Sequence, residues 1–130
     1  TPIIAVLRNN AKEVVSQPTA DMADIHIIDS LPYLEFGYLT AHAMGIITDS
    51  GNVAEEATFN NVPCITLNSY TEHIETVKQG SNILVGEDAD KLEAAIKDMT
   101  GNNWKKCSLP DRWDGRTAER IVHILLNMPG

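Results

Sequence analysis

Positive charge is scarce in this 130-residue sequence: 10 Lys and Arg stand against 18 Asp and Glu, a net charge of -8 with His neutral. A nucleic-acid-binding face needs clustered cations to displace counterions from phosphates. The nearest approach to a cluster is Lys105-Lys106, in a polar connector that reads as a solvated turn, so nucleic acid is not an expected partner. Long apolar runs are missing too. None approaches the roughly 20 residues of a membrane span, and the start has no apolar signal-peptide region. No membrane partner is expected, and the location is expected to be cytoplasmic. Cysteine is limited to Cys64, in an apolar strand-like run, and Cys107, in a polar connector. Without CxxC or metal spacing, both read as reduced structural thiols. His26, His42 and His123 have no companion ligands, so no metal is expected. The dinucleotide pattern GxGxxG and the P-loop pattern GxxxxGK[ST] are both absent, which argues against the usual NAD and ATP chemistry. No cofactor is expected.

What the chain does contain is alternation. At 43% hydrophobic residues it can bury one core, so a single domain over residues 1–130 is expected. Apolar runs of strand length occur at Ile3 to Leu7, Ile25 to Asp29, Ile46 to Thr48, Val62 to Leu67 and Ile83 to Val85. Helical spacing fills the intervals: Arg8 to Ser16, Tyr33 to Met44, Asn52 to Phe59, a helix ending at Gly80, and Asp88 to Met99. A last helix is expected over Arg116 to Asn127. Ser69-Tyr70-Thr71-Glu72 has the form of a capping box and is expected to open the helix that ends at Gly80. Asn60-Asn61 tolerates the left-handed conformation of a helix end. No hairpin dipeptide separates the strands. The fold class is therefore α/β: a Rossmann-like parallel sheet with helices on both faces.

Ligands of open parallel sheets sit beyond the carboxyl ends of the strands. Four segments occupy such ends: Arg8-Asn9-Asn10, Ser30-Leu31-Pro32, Asp49-Ser50-Gly51-Asn52 and Asn68 to Glu72. In Ile46 to Ala57 a short strand meets a Ser-Gly turn and a helix starts at once. That arrangement aims unpaired backbone N–H groups and the positive end of a helix dipole at one point, which suits phosphate. A glutamate one turn later can accept hydrogen bonds from ribose hydroxyls. On chemistry alone the turn fits a phosphate site and a simple N-cap equally well.

The order of motifs resembles a known family. Asp49-Ser50-Gly51-Asn52-Val53-Ala54-Glu55-Glu56-Ala57, the Pro63-led strand, Thr71-Glu72 and Leu84-Val85-Gly86 follow one another as in the carboxyl-terminal domain of the non-hydrolysing UDP-N-acetylglucosamine 2-epimerases. Leu31-Pro32-Tyr33-x-x-Phe36 is similar to a helix start of that family, and Gly115 to Ile121 to its final helix. The resemblance covers nearly the whole chain. It implies one Rossmann-like part of a two-domain glycosyltransferase-B-like fold that takes UDP-sugar in a cleft. It also implies that Ser50, Gly51 and Asn52 hold the UDP diphosphate, that Glu56 holds the ribose, and that Phe36 lies near the uracil. The family eliminates UDP and re-adds it after inversion at the second sugar carbon, interconverting UDP-N-acetylglucosamine and UDP-N-acetylmannosamine for cell-surface polysaccharide supply. Its main acid/base carboxylates belong to the amino-terminal domain. No catalytic residue is therefore expected here, and these residues alone are expected to be inactive.

Some positions depart from the family pattern. Asn52 replaces a second Gly, Asn68 replaces an Arg, His73-Ile74 replaces Arg-Pro, and Val6-Leu7-Arg8 keeps only the Arg of His-Pro-Arg. His73, when protonated, is placed to approach the phosphates. The fewer cations leave two other readings open: a glycosyltransferase with a related UDP-sugar donor, or a non-catalytic nucleotide-sugar-binding module. The opening at Thr1-Pro2, without Met, suggests a piece of a longer protein whose missing amino-terminal domain is a partner. The family places a further central strand before Thr1. Without it the strand groups either close up or chains pair, so a homodimer is a possible partner arrangement.

Overall fold

The computed structural model describes residues 2–6 and 24–129. The helix expected over Arg8 to Ser16, and the Arg8-Asn9-Asn10 segment, lie outside the described residues. Chain contacts divide the protein into two compact units, Thr1–Tyr38 and Leu39–Gly130.

In the first unit, β1 (Ile3–Val6) pairs in parallel with β2 (Ile25–Ile28), Ile3 opposite Ile25 and Val6 opposite Ile28. Helix α1 (Tyr33–Ala41) starts after Pro32, whose carbonyl accepts the Phe36 N–H at 3.0 Å. Pro suits this place because its ring fixes φ near the helical value and it has no N–H to lose.

The second unit carries β3 (Ile46–Thr48), α2 (Gly51–Phe59), β4 (Cys64–Thr66), α3 (Ile74–Lys78), β5 (Asn82–Leu84), α4 (Ala89–Thr100) and α5 (Thr117–Leu126). Its sheet has the order β3-β4-β5, parallel throughout, with Ile46 opposite Cys64 and Cys64 opposite Asn82. The expected parallel pairing holds, with the strands distributed over two sheets of two and three strands.

The central strand β4 is buried along its whole length. Successive strand residues face opposite sides of a sheet, and the packing follows. Cys64 joins Ala54 and Ala57 of α2 with Val62, whereas Ile65 joins Val85, Ala95 of α4 and the partly buried Leu92, Ile96 and Met99. Helices α2 and α4 therefore cover opposite faces of this sheet, as a two-faced apolar strand requires. Burial pushes the Cys64 thiol up to about 12, against a smaller opposing effect of its hydrogen bond with Thr66. The group is an uncharged packing element with no nucleophilic role. Cys64 and Cys107 are both free.

Helix α2 stops as its Asn-Asn end suggests. Asn61 takes φ 56°, its N–H donates to the Thr58 carbonyl at 3.1 Å, and the Val62 N–H donates to the Ala57 carbonyl at 2.9 Å. This pair of bonds is the Schellman arrangement, with the accompanying apolar contact made by Val62 and Ala57.

Two local expectations need correction. The Ser69-to-Glu72 box opens no helix: α3 begins at Ile74, with His73 at its N-cap. Asn68 is tied on both sides, its side chain donating to the Asp49 carbonyl at 3.0 Å and its carbonyl accepting from the Gly86 N–H at 3.1 Å. Ser69 lies against Gly86, which adopts φ +60°. The segment is thus held as a loop at the sheet edge, and those long-range bonds override the local capping pattern. Lys105, read as solvated, is half-buried. Its Nζ donates to the carbonyls of Val77 and Asn82, each at 2.6 Å, and burial lowers its pKa. A cation suits the last turn of α3, where carbonyls are left without helical partners.

Candidate functional site

The carboxyl ends of β3, β4 and β5 are tied together by loop hydrogen bonds. The Gly86 N–H reaches Asn68, and the Asn68 side chain reaches Asp49. Gly86 is required there because its φ of +60° suits a residue without a Cβ. Asn68, which stands where the family carries Arg, therefore works as a neutral brace.

On this braced edge the amino end of α2 is left open. Ser50 occupies the N-cap in extended conformation, φ -102° and ψ 123°, yet its side chain makes no capping hydrogen bond. The Ser50 N–H donates to Thr48 Oγ1 at 3.0 Å, which orients the turn, and the Ser50 carbonyl accepts from Ala54 at 3.2 Å. The N–H groups of Gly51, Asn52 and Val53 find no acceptor among the described residues. Helix α4 behaves differently: Asp88 Oδ1 accepts from the N–H groups of Asp90 and Lys91 at 3.0 and 3.1 Å. Ser50 thus stands at the N-cap without capping through its side chain. Unspent amides at a helix amino end favour an anion.

The other expected site residues are placed as follows. Asn52 is exposed on the first turn of α2. Glu56 is half-buried on α2, and its carboxylate has no hydrogen-bond or ion-pair partner among the described residues. Phe36 lies on α1 and is half-buried. It belongs to the first compact unit, whereas Ser50, Gly51, Asn52 and Glu56 belong to the second. Among the described residues, no group of three or more His, Cys, Asp and Glu side chains is arranged to hold a metal ion.

One contact escaped the sequence reading. Glu55 Oε1 stands 2.6 Å from His73 Nδ1, and the imidazole lies over Gly51. A Cβ built on Gly51 would come within 2.8 Å of His73 Cδ2 and 3.2 Å of Nε2. Gly at position 51 is what lets the ring approach. Eighteen positions separate Glu55 and His73, and no periodic signal connects them. The only hint was that each follows a neighbouring strand of a parallel sheet.

The UDP-N-acetylglucosamine 2-epimerase family model matches residues 1–126. The chain belongs to that family. Among curated epimerases, that of Methanocaldococcus jannaschii is 48% identical over 103 residues, covering 78% of this chain and 27% of its own length. A Methanococcus maripaludis UDP-N-acetylglucosamine 2-epimerase is 41% identical over 103 residues, again 78% of this chain and 27% of its own. Among solved epimerases, the M. jannaschii enzyme in complex with UDP-GlcNAc and UDP has a TM-score of 0.74 at 39% identity. That match covers 96% of this chain and 35% of the other. The Rossmann-like α/β class is thus the epimerase class. The chain spans about a quarter to a third of the length of the epimerases it matches. No helix among the described residues is long and apolar enough to cross a membrane.

Proposed function

We propose that this chain is the UDP-binding, carboxyl-terminal part of a UDP-N-acetylglucosamine 2-epimerase, acting as one domain of a longer cytoplasmic protein. The amides at the start of α2, with the Ser50 hydroxyl and the Asn52 side chain, take the diphosphate. Glu56 accepts hydrogen bonds from the ribose hydroxyls. The observation that carries this reading is the uncapped start of α2 on the carboxyl edge of a parallel sheet, in a relative of an enzyme solved with UDP-GlcNAc and UDP.

Chemically, the site grips the leaving group. Elimination of UDP develops negative charge on the diphosphate, and fixed amide dipoles stabilise that charge without reorganising. The acid/base groups that remove and return the proton at the second sugar carbon belong to the amino-terminal domain of the longer protein. The 130 residues alone turn nothing over. Among the described residues β3 and β5 each pair with β4 alone, and the partner in this reading is that domain or a second copy of the chain.

Calorimetric titration of the chain with UDP and with ATP tests the reading. UDP is expected to bind at least about tenfold more tightly, a difference of about 1.4 kcal/mol. Equal affinity for the two nucleotides, or no binding of UDP, contradicts it.

A further inference from the structure

We propose that His73 is a proton-linked phosphate contact, oriented by Glu55, so that seating the diphosphate draws one proton onto the protein. The inference rests on the reading that the start of α2 holds a diphosphate, and adds what that site does with protons.

The two ring nitrogens of His73 are divided between different tasks. Nδ1 is 2.6 Å from Glu55 Oε1 on α2. A carboxylate only accepts, so Nδ1 carries the hydrogen in this contact. The opposite edge, Cδ2 and Nε2, rests on Gly51, the first residue of α2. With Nδ1–H committed to Glu55, a neutral ring presents a lone pair at Nε2 beside the open amides. That lone pair repels a phosphate oxygen. Only the imidazolium can donate from Nε2, so an anion seated there selects the protonated ring and the proton comes from solvent.

The backbone of His73 is fixed as well. The His73 N–H donates to Thr71 Oγ1 at 3.0 Å, and its carbonyl accepts from Thr76 Oγ1 at 2.7 Å. Thr76 in turn accepts from the buried Asn82 side chain at 3.1 Å. Among the described residues, Glu55 of α2 is the charged group within ion-pair distance of the ring. The neighbouring carboxylates of the turn and helix, Asp49 and Glu56, carry the same sign as the ligand. Asn68 supplies no cation where the family has Arg. Among the described residues, His73 is thus the residue through which this site obtains positive charge.

The direction of the linkage follows. The complex holds a proton that the free ring lacks wherever that ring is neutral, so affinity strengthens as pH falls through that range. The limiting slope is about tenfold per pH unit for one proton.

The test is calorimetry with UDP-N-acetylglucosamine, whose phosphates are both esterified and fully ionised, so the ligand contributes no titrating phosphate. Between about pH 5 and about pH 8, the range in which an imidazole changes charge, its Kd is expected to rise about tenfold or more. Titrations in buffers of different ionisation enthalpy are expected to show net proton uptake. Uridine, lacking phosphate, is expected to show neither effect, and His73→Gln is expected to abolish both. A pH-independent affinity for the wild-type chain, or the same pH dependence in His73→Gln, overturns the inference while leaving UDP binding intact. Absence of any binding to UDP-N-acetylglucosamine or UDP overturns the diphosphate site itself, and the proton linkage with it.

Discussion

Replacing Asn82 with Ala is expected to destabilise the protein by about 3 kcal/mol, the sum of a small cavity and newly unpaired buried groups. Asn82 is fully buried on β5 and accepts the Thr66 hydroxyl at 2.6 Å while donating to Thr76 at 3.1 Å. Thr66 and Thr76 are themselves 2% and 0% exposed, so neither can turn to water when Asn82 is truncated. Buried polar chains are costly to interrupt for this reason. This one joins β4, β5 and α3 and ends on the His73 carbonyl. For a domain of this size, a 3 kcal/mol loss corresponds to about 10 °C or more in Tm. Circular dichroism melts of wild type and Asn82→Ala measure it, and a shift under about 3 °C would show that the network contributes little.

Glu56→Ala is expected to leave Tm nearly unchanged and to weaken UDP binding about tenfold to a hundredfold. The half-buried carboxylate makes no protein hydrogen bond or ion pair among the described residues, so its removal breaks nothing in the fold. Hydrogen bonds to a charged group are worth about 1.5–3 kcal/mol, which converts to that range of affinity. The loss should shrink when the ligand is 2′-deoxy-UDP, which has already given up one ribose hydroxyl. Unchanged UDP affinity in Glu56→Ala would remove this residue from the ribose contact.

The sequence made the fold class legible because its signals were local. Alternation of strand and helix implies a parallel sheet covered on both faces, and Cys64 and Ile65 receive that cover from α2 and α4. Asn60-Asn61 announced a left-handed helix end, and Asn61 adopts it. The Ser-Gly turn announced a helix from Asn52, and the helix begins one residue earlier, at Gly51. What the sequence concealed depended on contacts between loops distant along the chain. The Ser69-to-Glu72 capping box yielded to the bonds that Asn68 makes with Asp49 and Gly86. Lys105 met the end of α3 because residues 104–108 run back past β5: Trp104 Nε1 donates to the Ser81 carbonyl at 2.9 Å, and the Ser108 N–H to that of Gln79 at 2.7 Å. The Glu55–His73 pair is of the same kind. Two consecutive glutamates on a helix gave no sign that the first would be occupied by an imidazole while the second stayed unengaged.

The central claim is that UDP seats on the start of α2, and backbone amide chemical shifts test it residue by residue. Titrating UDP into the isotope-labelled chain is expected to move the amide signals of Gly51, Asn52 and Val53 most, together with the His73 ring, while the start of α4 at Ala89 stays still. Perturbations centred elsewhere, or no perturbation at Gly51 to Val53 under saturating UDP, would contradict the account.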